Sequence, residues 1–157
     1  MLGRREFGLA GVSAAAMAAL PGLSRAQESD PHAGHGGMHS KCAEACNDCQ
    51  RECDACTTHC AKLLAEGQKA HLETLRSCQD CADMCATSAQ IAARQGPFSA
   101  LACQACAEAC ARCAKECAKM PNDKMMAACA EECRKCEAAC REMVSHHTAA
   151  QRSATKG

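Results

Sequence analysis

Eighteen of the 157 residues are cysteine, and they fall in four runs with spacings of mostly three and four positions. The first run, residues 42–60, reads CAEACNDCQRECDACTTHC. Cysteine side chains can form disulfides, act as nucleophiles, or bind soft and borderline metal ions as thiolates. The candidate metal ligands are Cys42, Cys46, Cys49, Cys53, Cys56, Cys60, Cys78, Cys81, Cys85, Cys103, Cys106, Cys110, Cys113, Cys117, Cys129, Cys133, Cys136 and Cys140.

Intervals of three and four place side chains on one stripe of an α-helix, where a helix bundle normally carries Leu or Ile. At a rise of about 1.5 Å per residue, the first stripe is roughly 27 Å long. Ordinary core material is scarce, because the chain has no Trp or Tyr and only two Phe. The spacing therefore predicts helices whose buried face consists of sulfur.

Three breaks divide the cysteine-rich part of the chain, at Gly67, at Gly96-Pro97 and at Pro121-Asn122. They predict helices near residues 40–65, 68–94, 98–119 and 123–147. Short connections make successive helices antiparallel neighbours, so the expected fold class is all-α, an antiparallel up-down-up-down four-helix bundle with a Cys-lined core.

The breaks also predict how the four stripes align. Counting equal numbers of residues on either side of Gly67 sets Cys81 level with Cys53. The same count about Gly96 brings Cys81 close to Cys110 and Cys113, and about Pro121 it places Cys110 near Cys133. The four stripes should therefore meet along most of the bundle axis.

Several chemistries compete for thiols in this arrangement. A cysteine content above about a tenth usually indicates disulfides, but helical neighbours have Cβ atoms about 5–6 Å apart and a disulfide needs about 3.5–4.5 Å. Zinc uses closed sets of four ligands, and a continuous ladder suggests no grouping into fours. Cu(I) is soft and needs only two thiolates, so the core could hold about nine to eighteen ions.

The residues favour Cu(I) as the bound ion. Two alternatives stay open: a zinc sequestration protein, and a disulfide-stapled structural or redox-buffering bundle. No residue interrupts the pattern of equivalent thiols, so we expect no enzyme activity and no catalytic residues.

The first 26 residues have the features of a twin-arginine signal peptide. Arg4-Arg5 precede Phe7 and a Gly/Ala-rich run, and Ser24-Arg25-Ala26 puts small residues at positions −3 and −1 of a cut after Ala26. We therefore expect export by the twin-arginine route to the periplasm, and no membrane association once the signal is removed.

Removal of the signal would leave 15 basic and 17 acidic residues, a net charge of −2. This balance argues against a nucleic-acid partner. The expected organisation is a signal peptide at 1–26, a Gly/His-rich linker at 27–40, a copper-binding bundle at 41–148 and a flexible tail at 149–157.

The C-x-x-x-C-x-x-C pattern on four helices resembles the bacterial copper storage proteins, in particular their exported, twin-arginine-dependent members. The resemblance covers about residues 38–147. It implies a homo-oligomer of bundles that stores multiple Cu(I) ions inside. Such storage would serve the supply of cuproenzymes or copper detoxification, with copper donor or acceptor proteins as partners.

The two ends of the sulfur stripes carry different side chains. The same three-and-four steps lead from Cys42 to His39 and His35, and from Cys140 to Met143 and His147, and these two ends should lie together. Family members have His and Met ligands at an open end beside the first helix, which adds Met38. The candidate ligands at this mouth are His35, Met38, His39, Met143 and His147.

The opposite end is expected to be an apolar plug. Met120 and Met126 lie on their stripes there, with four leucines nearby: Leu63, Leu64, Leu72 and Leu75. The remaining histidines considered, His59, His71 and His146, are expected at the surface or rim.

Overall fold

The computed structural model describes residues 33–155, with side chains from residue 37 onward. Four helices form it: α1 (Ala33–Ala65), α2 (Leu72–Ala93), α3 (Ser99–Cys117) and α4 (Lys124–Ala154). Helix α1 packs against α2 and α4, and α3 packs against the same two helices. This is the arrangement of an antiparallel up-down-up-down bundle, so the predicted fold class is confirmed.

The first connection in the bundle includes a short 3₁₀ turn, Lys69–His71, immediately before α2. None of the described helices is both long and apolar enough to cross a membrane. The predicted signal peptide, residues 1–26, and the first part of the predicted linker lie outside the described residues.

Helices α1 and α2 end in the same hydrogen-bonded cap. After α1, Gly67 has a φ of 88° and the Gln68 N–H donates to the Leu63 carbonyl at 3.0 Å. After α2, Gln95 takes the left-handed position, with a φ of 52°. A left-handed residue of this kind ends the helix and lets the chain reverse. The second break therefore falls one residue before the expected glycine.

The first and last helices, α1 and α4, are longer than the sequence predicts. Helix α1 begins at Ala33 and α4 ends at Ala154, so part of the expected linker and most of the expected tail are helical. The rings of His39 and His147 lie edge to face with centroids 5.5 Å apart, close to the predicted ends. Beyond them, residues 148–155 are exposed, so α4 is extended by the helix propensity of residues such as Ala149, Ala150 and Gln151 rather than by packing.

The core is made of sulfur and small side chains. All eighteen cysteines are buried, together with several alanines and with Met126 and Met143 near opposite ends. Among the described residues no Leu, Ile, Val or Phe is fully buried, although Leu63, Leu75 and Val144 pack partly against the core. Sulfur therefore occupies the positions that aliphatic side chains fill in ordinary bundles.

The alignment of the stripes agrees with the prediction between α2 and α3 and, within about one turn, between α3 and α4. Cys81 and Cys110 have Sγ atoms 3.7 Å apart. Cys110 and Cys133 both contact Cys49, at 3.9 and 3.7 Å. Cys106 and Cys136, which are equally far from Pro121 along the chain, have Sγ atoms 3.9 Å apart. The chain therefore reverses close to the break that the sequence predicts.

Asp123 joins the start of α4 to α1. Its Oδ1 accepts hydrogen bonds from the N–H groups of Met125 and Met126, at 2.9 and 3.2 Å. Its Oδ2 lies 2.7 Å from Nε2 of His59. Burial raises the pKa of Asp123, but the His59 contact and the backbone N–H groups outweigh it and leave this pKa below its usual value.

Replacing Asp123 by Ala removes both the helix cap and the contact with His59. We expect the free energy of unfolding of the metal-free, reduced protein to fall by about 1–2 kcal/mol at neutral pH. Because the folded-state pKa is lowered, this contribution is present above the unfolded pKa of about 3.9 and is lost as the pH falls through the folded-state pKa. Urea unfolding of wild type and variant across that range measures the difference.

The control for this change is His59→Ala, which removes the contact with Asp123 and keeps the cap. It should cost less than Asp123→Ala. Equal losses, or a difference between wild type and Asp123→Ala that does not depend on pH, would contradict the assignment.

Candidate metal centre

The eighteen thiols lie along the bundle axis and all are free. The shortest Sγ–Sγ distance, 3.3 Å, joins Cys42 and Cys103. A disulfide bond is only about 2.05 Å long. The structure therefore gives no support to the disulfide-stapled alternative.

Sulfur contacts link the four stripes into one network. Neighbours touch within a helix, as for Cys49 and Cys53 at 4.0 Å. Contacts also cross both diagonals of the bundle, from Cys49 to Cys110 and from Cys78 to Cys129, each at 3.9 Å. Because the cysteine side chain is short, opposite helices approach closely enough for these diagonal contacts.

The network contains compact sets of four thiols whose sulfur atoms all lie within 4.8 Å of one another. This corrects the expectation that the ladder has no grouping into fours, since the edge of a tetrahedral zinc–thiolate site is about 3.8 Å. The sets overlap, so they cannot all hold separate tetrahedral ions. Five of them are Cys46/Cys106/Cys136/Cys140, Cys49/Cys53/Cys81/Cys133, Cys49/Cys85/Cys110/Cys136, Cys53/Cys113/Cys129/Cys133 and Cys56/Cys78/Cys117/Cys129.

The protonation of these thiols depends on their immediate surroundings. Burial raises the pKa of Cys60 to about 12. The hydrogen bond with Cys110 lowers the pKa of Cys81 to about 6. Cys60 therefore keeps its proton at neutral pH, whereas the pKa of Cys81 is shifted toward the thiolate form. A buried thiolate is costly unless a cation or hydrogen bonds compensate it, and a bound metal ion supplies that cation.

The terminal end of the bundle is where α1 begins and α4 ends. Met143 is fully buried there, and Met38 packs partly against the core. Nδ1 of His39 is buried with no hydrogen-bond partner in the described part of the chain. The structure thus brings together four of the five residues predicted at the mouth, including His147.

The fifth residue predicted at the mouth, His35, lies in α1, but its side chain is outside the described set. Helices α2 and α3 carry smaller side chains at the terminal end. Ser88 and Ala92 on α2, and Ser99 on α3, are buried and leave the larger side chains to α1 and α4.

The loop end of the bundle is formed by the connections 66–71 and 118–123. Met126 is fully buried there, and Met120 packs partly against the core. The predicted leucine plug is incomplete, since Leu72 is 42% exposed. A cavity of about 460 Å³ lies beside the second connection.

His71 departs most clearly from its predicted place at the rim, because it is only 7% exposed. A sequence signal for its burial exists. Stepping back from Cys78 by four reaches Thr74, and a further step of three reaches His71, so the three residues share one stripe. All three are buried.

These features define a class: a four-helix bundle whose core is a network of thiols able to bind soft metal ions. Comparison with known proteins identifies the family. The profile described as copper storage protein matches residues 36–145. In a search of curated proteins, no sequence matches the chain.

Solved structures give the same family. The Cu(I)-bound copper storage protein BsCsp3 is 34% identical, with a TM-score of 0.62, and the match covers 68% of this chain and 98% of that one. A cytosolic copper storage protein from Streptomyces lividans with five coppers is 32% identical, with a TM-score of 0.63 and coverage of 71% and 96%. The copper storage protein Ccsp from Streptomyces lividans loaded with 10 copper equivalents is 33% identical, with a TM-score of 0.61, and the match covers 69% of this chain and 85% of that one. The chain belongs to the copper storage protein family.

Metal uptake by this core should release protons, because a metal binds the thiolate and Cys60 is protonated at neutral pH. We expect the apparent metal affinity to rise with pH up to the Cys60 pKa of about 12. Proton release during anaerobic metal titration in weakly buffered solution measures this. Uptake without proton release at neutral pH would contradict it.

Proposed function

We propose that this chain stores multiple Cu(I) ions on its core cysteine thiolates, for supply to cuproenzymes or for copper detoxification. The observation that carries the proposal is the continuous network of eighteen buried, free thiols, with contacts such as Cys81–Cys110 at 3.7 Å. Membership of the copper storage family supports it. So do the relatives' structures, one with Cu(I) bound and others with five coppers and 10 copper equivalents.

The overlap of the sulfur sets favours Cu(I) over metals that need four ligands. Cu(I) is satisfied by two or three soft sulfur atoms, so each thiolate can bind one ion or bridge two. Bridging also offsets charge. Unshared pairs would leave about one negative charge for each ion in the core, whereas one ion for every thiolate would leave it neutral.

Zinc sequestration remains the second candidate because compact sets of four thiols exist, for example Cys56, Cys78, Cys117 and Cys129. Tetrahedral sites with four thiolates each would saturate at about four ions. The two candidates therefore differ in capacity as well as in preference.

Anaerobic titration of the reduced protein against competing chelators, with Cu(I) and Zn²⁺ in parallel, tests the storage function. We expect tight uptake of about nine to eighteen Cu(I) ions. Cys81→Ser should lower this capacity by about one ion and leave the helical circular dichroism unchanged, because neighbouring thiols are redundant. Saturation at about four ions with zinc preferred would favour sequestration, and loss of all binding in Cys81→Ser would contradict a distributed store.

At the terminal end, we infer that Met38, His39, Met143 and His147 form a mouth through which Cu(I) exchanges. Thioether and imidazole groups are neutral ligands, and they bind Cu(I) without the charge that holds it at a thiolate pair. The buried Nδ1 of His39 and the neighbouring ring of His147 support this role. His35 would extend the mouth along α1.

The double change Met143→Leu and His147→Gln removes two of these ligands while keeping most of the side-chain volume. Transfer of Cu(I) to a chelator should slow about tenfold, with little loss of capacity. Stopped-flow transfer measures the rate, and Met125→Leu, on the exposed start of α4 at the other end, is the control. An unchanged rate would remove Met143 and His147 from the pathway.

Export to the periplasm by the twin-arginine route is supported by Arg4-Arg5 and by the small residues before the cut after Ala26. The Streptomyces lividans relative with five coppers is described as cytosolic, so location would distinguish this chain from it. Retention of the Arg4→Lys, Arg5→Lys variant in the cytoplasm tests the route.

We further infer a homo-oligomer of bundles without catalytic turnover, which exchanges copper with donor or acceptor proteins. Phe98 and Leu101 support association, since each is 66% exposed in the structure. Light scattering of the reduced protein decides the oligomeric state. The shared burial of all eighteen thiols supports storage rather than catalysis.

A further inference from the structure

The loop end contains soft metal ligands that the thiol network does not include. Three of the four stripes continue past their end cysteine there to such a group: the α2 stripe to His71, the α3 stripe to Met120 and the α4 stripe to Met126. Imidazole nitrogen and thioether sulfur are ligands of Cu(I). An apolar plug would need none of these groups.

His71 has a buried polar atom with no structural role in the described residues. The side chain is 7% exposed, and Nδ1 is buried with no hydrogen-bond partner among the described residues. Leaving a buried polar group unsatisfied costs about 1–3 kcal/mol. A ligand that accepts the nitrogen lone pair would remove this cost.

His71 and Met120 line the same cavity of about 460 Å³, which is open to solvent. Its charged lining residues are already paired. The ammonium group of Lys119 binds Glu116 at 2.7 Å, and Asp123 binds His59 at 2.7 Å. The cavity therefore offers no free charge, and the possible soft ligands among its lining residues are His71 and Met120.

The cavity is also connected to the thiol network. His71 and Met120 continue the stripes of Cys78 and Cys117, whose Sγ atoms lie 3.7 Å apart. Cys56 belongs to the four-thiol set nearest the loop end, with Cys78 and Cys117 among its members. An ion held at the cavity thus lies at the end of two stripes that lead into the core.

We propose that the loop end carries a separate Cu(I) site, formed by Nδ1 of His71 and the sulfur of Met120, which acts as a second port to the thiol core. The proposal rests on the proposed storage of Cu(I). Its ligands are neutral, so an ion there is held more weakly than by two thiolates and can exchange with solvent. The bundle would then load and unload from both ends.

Nitrogen NMR of the histidine side chains in the reduced full chain tests the site directly. With ¹⁵N-labelled histidine and His71→Gln for assignment, the Nδ1 signal of His71 should shift when Cu(I) reaches saturation. His59, held by Asp123, serves as the internal reference and should keep its shift. An imidazole that only fills space would show no change, and an unmoved His71 signal at saturation would overturn the proposal.

The same titration separates this site from the storage function. Thiolate-to-copper charge-transfer absorption reports filling of the core, independently of His71. Full development of that absorption with an unmoved His71 signal leaves storage intact and removes the second port. Absence of the absorption contradicts storage, and the His71 signal then decides on the loop-end site alone.

A kinetic measurement tests the port without altering any thiol. Met120→Leu removes the thioether and keeps the volume, and Met125→Leu makes the same change on an exposed side chain that does not line the cavity. Transfer of Cu(I) to a chelator should slow about twofold in Met120→Leu, as expected when one of two parallel ports loses a ligand. Equal rates in the two variants would overturn the role as a port.

Discussion

Close contact between sulfur atoms on four helices is the constraint on which this structure depends. Cysteine is short, so a core of cysteines lets opposite helices approach until their Sγ atoms meet, as between Cys49 and Cys110 at 3.9 Å. Each thiol then has neighbours on its own helix, on adjacent helices and across the diagonal. The same shortness leaves little aliphatic surface to bury, so hydrophobic packing in this core is weaker than in a leucine-lined bundle.

The thin core links stability to what occupies it. Without metal, protons and sulfur–sulfur hydrogen bonds must satisfy the thiols, and the pKa of a thiol such as Cys81 depends on its neighbour Cys110. A bound cation replaces those protons and joins helices through metal–sulfur bonds, so binding free energy becomes folding free energy. Direct stabilisation from outside the core is local, as at Asp123, where one carboxylate caps α4 and binds α1.

The middle and the ends of the bundle have different chemistry. In the middle every ligand is a buried thiol with interchangeable neighbours, which suits capacity rather than a single defined site. At the terminal end, histidine and methionine come from α1 and α4, with small residues on α2 and α3. At the loop end, His71 and Met120 line an open cavity. Neutral ligands at both ends surround a core of ligands that can carry charge.

The sequence alone determined the helices, their antiparallel order and the identity of the core, because a three-and-four spacing of cysteines has only one buried face on a helix. It also placed His39 beside His147. The sequence-based bounds of α1 and α4 were too short, and α4 continues to Ala154 as an exposed helix. Only the tertiary structure decided the contacts across the diagonals, such as Cys49 to Cys110 at 3.9 Å, because they depend on how closely opposite helices approach. The four-thiol sets and the burial of His71 required the same step, because distances between stripes exist only once the helices have packed.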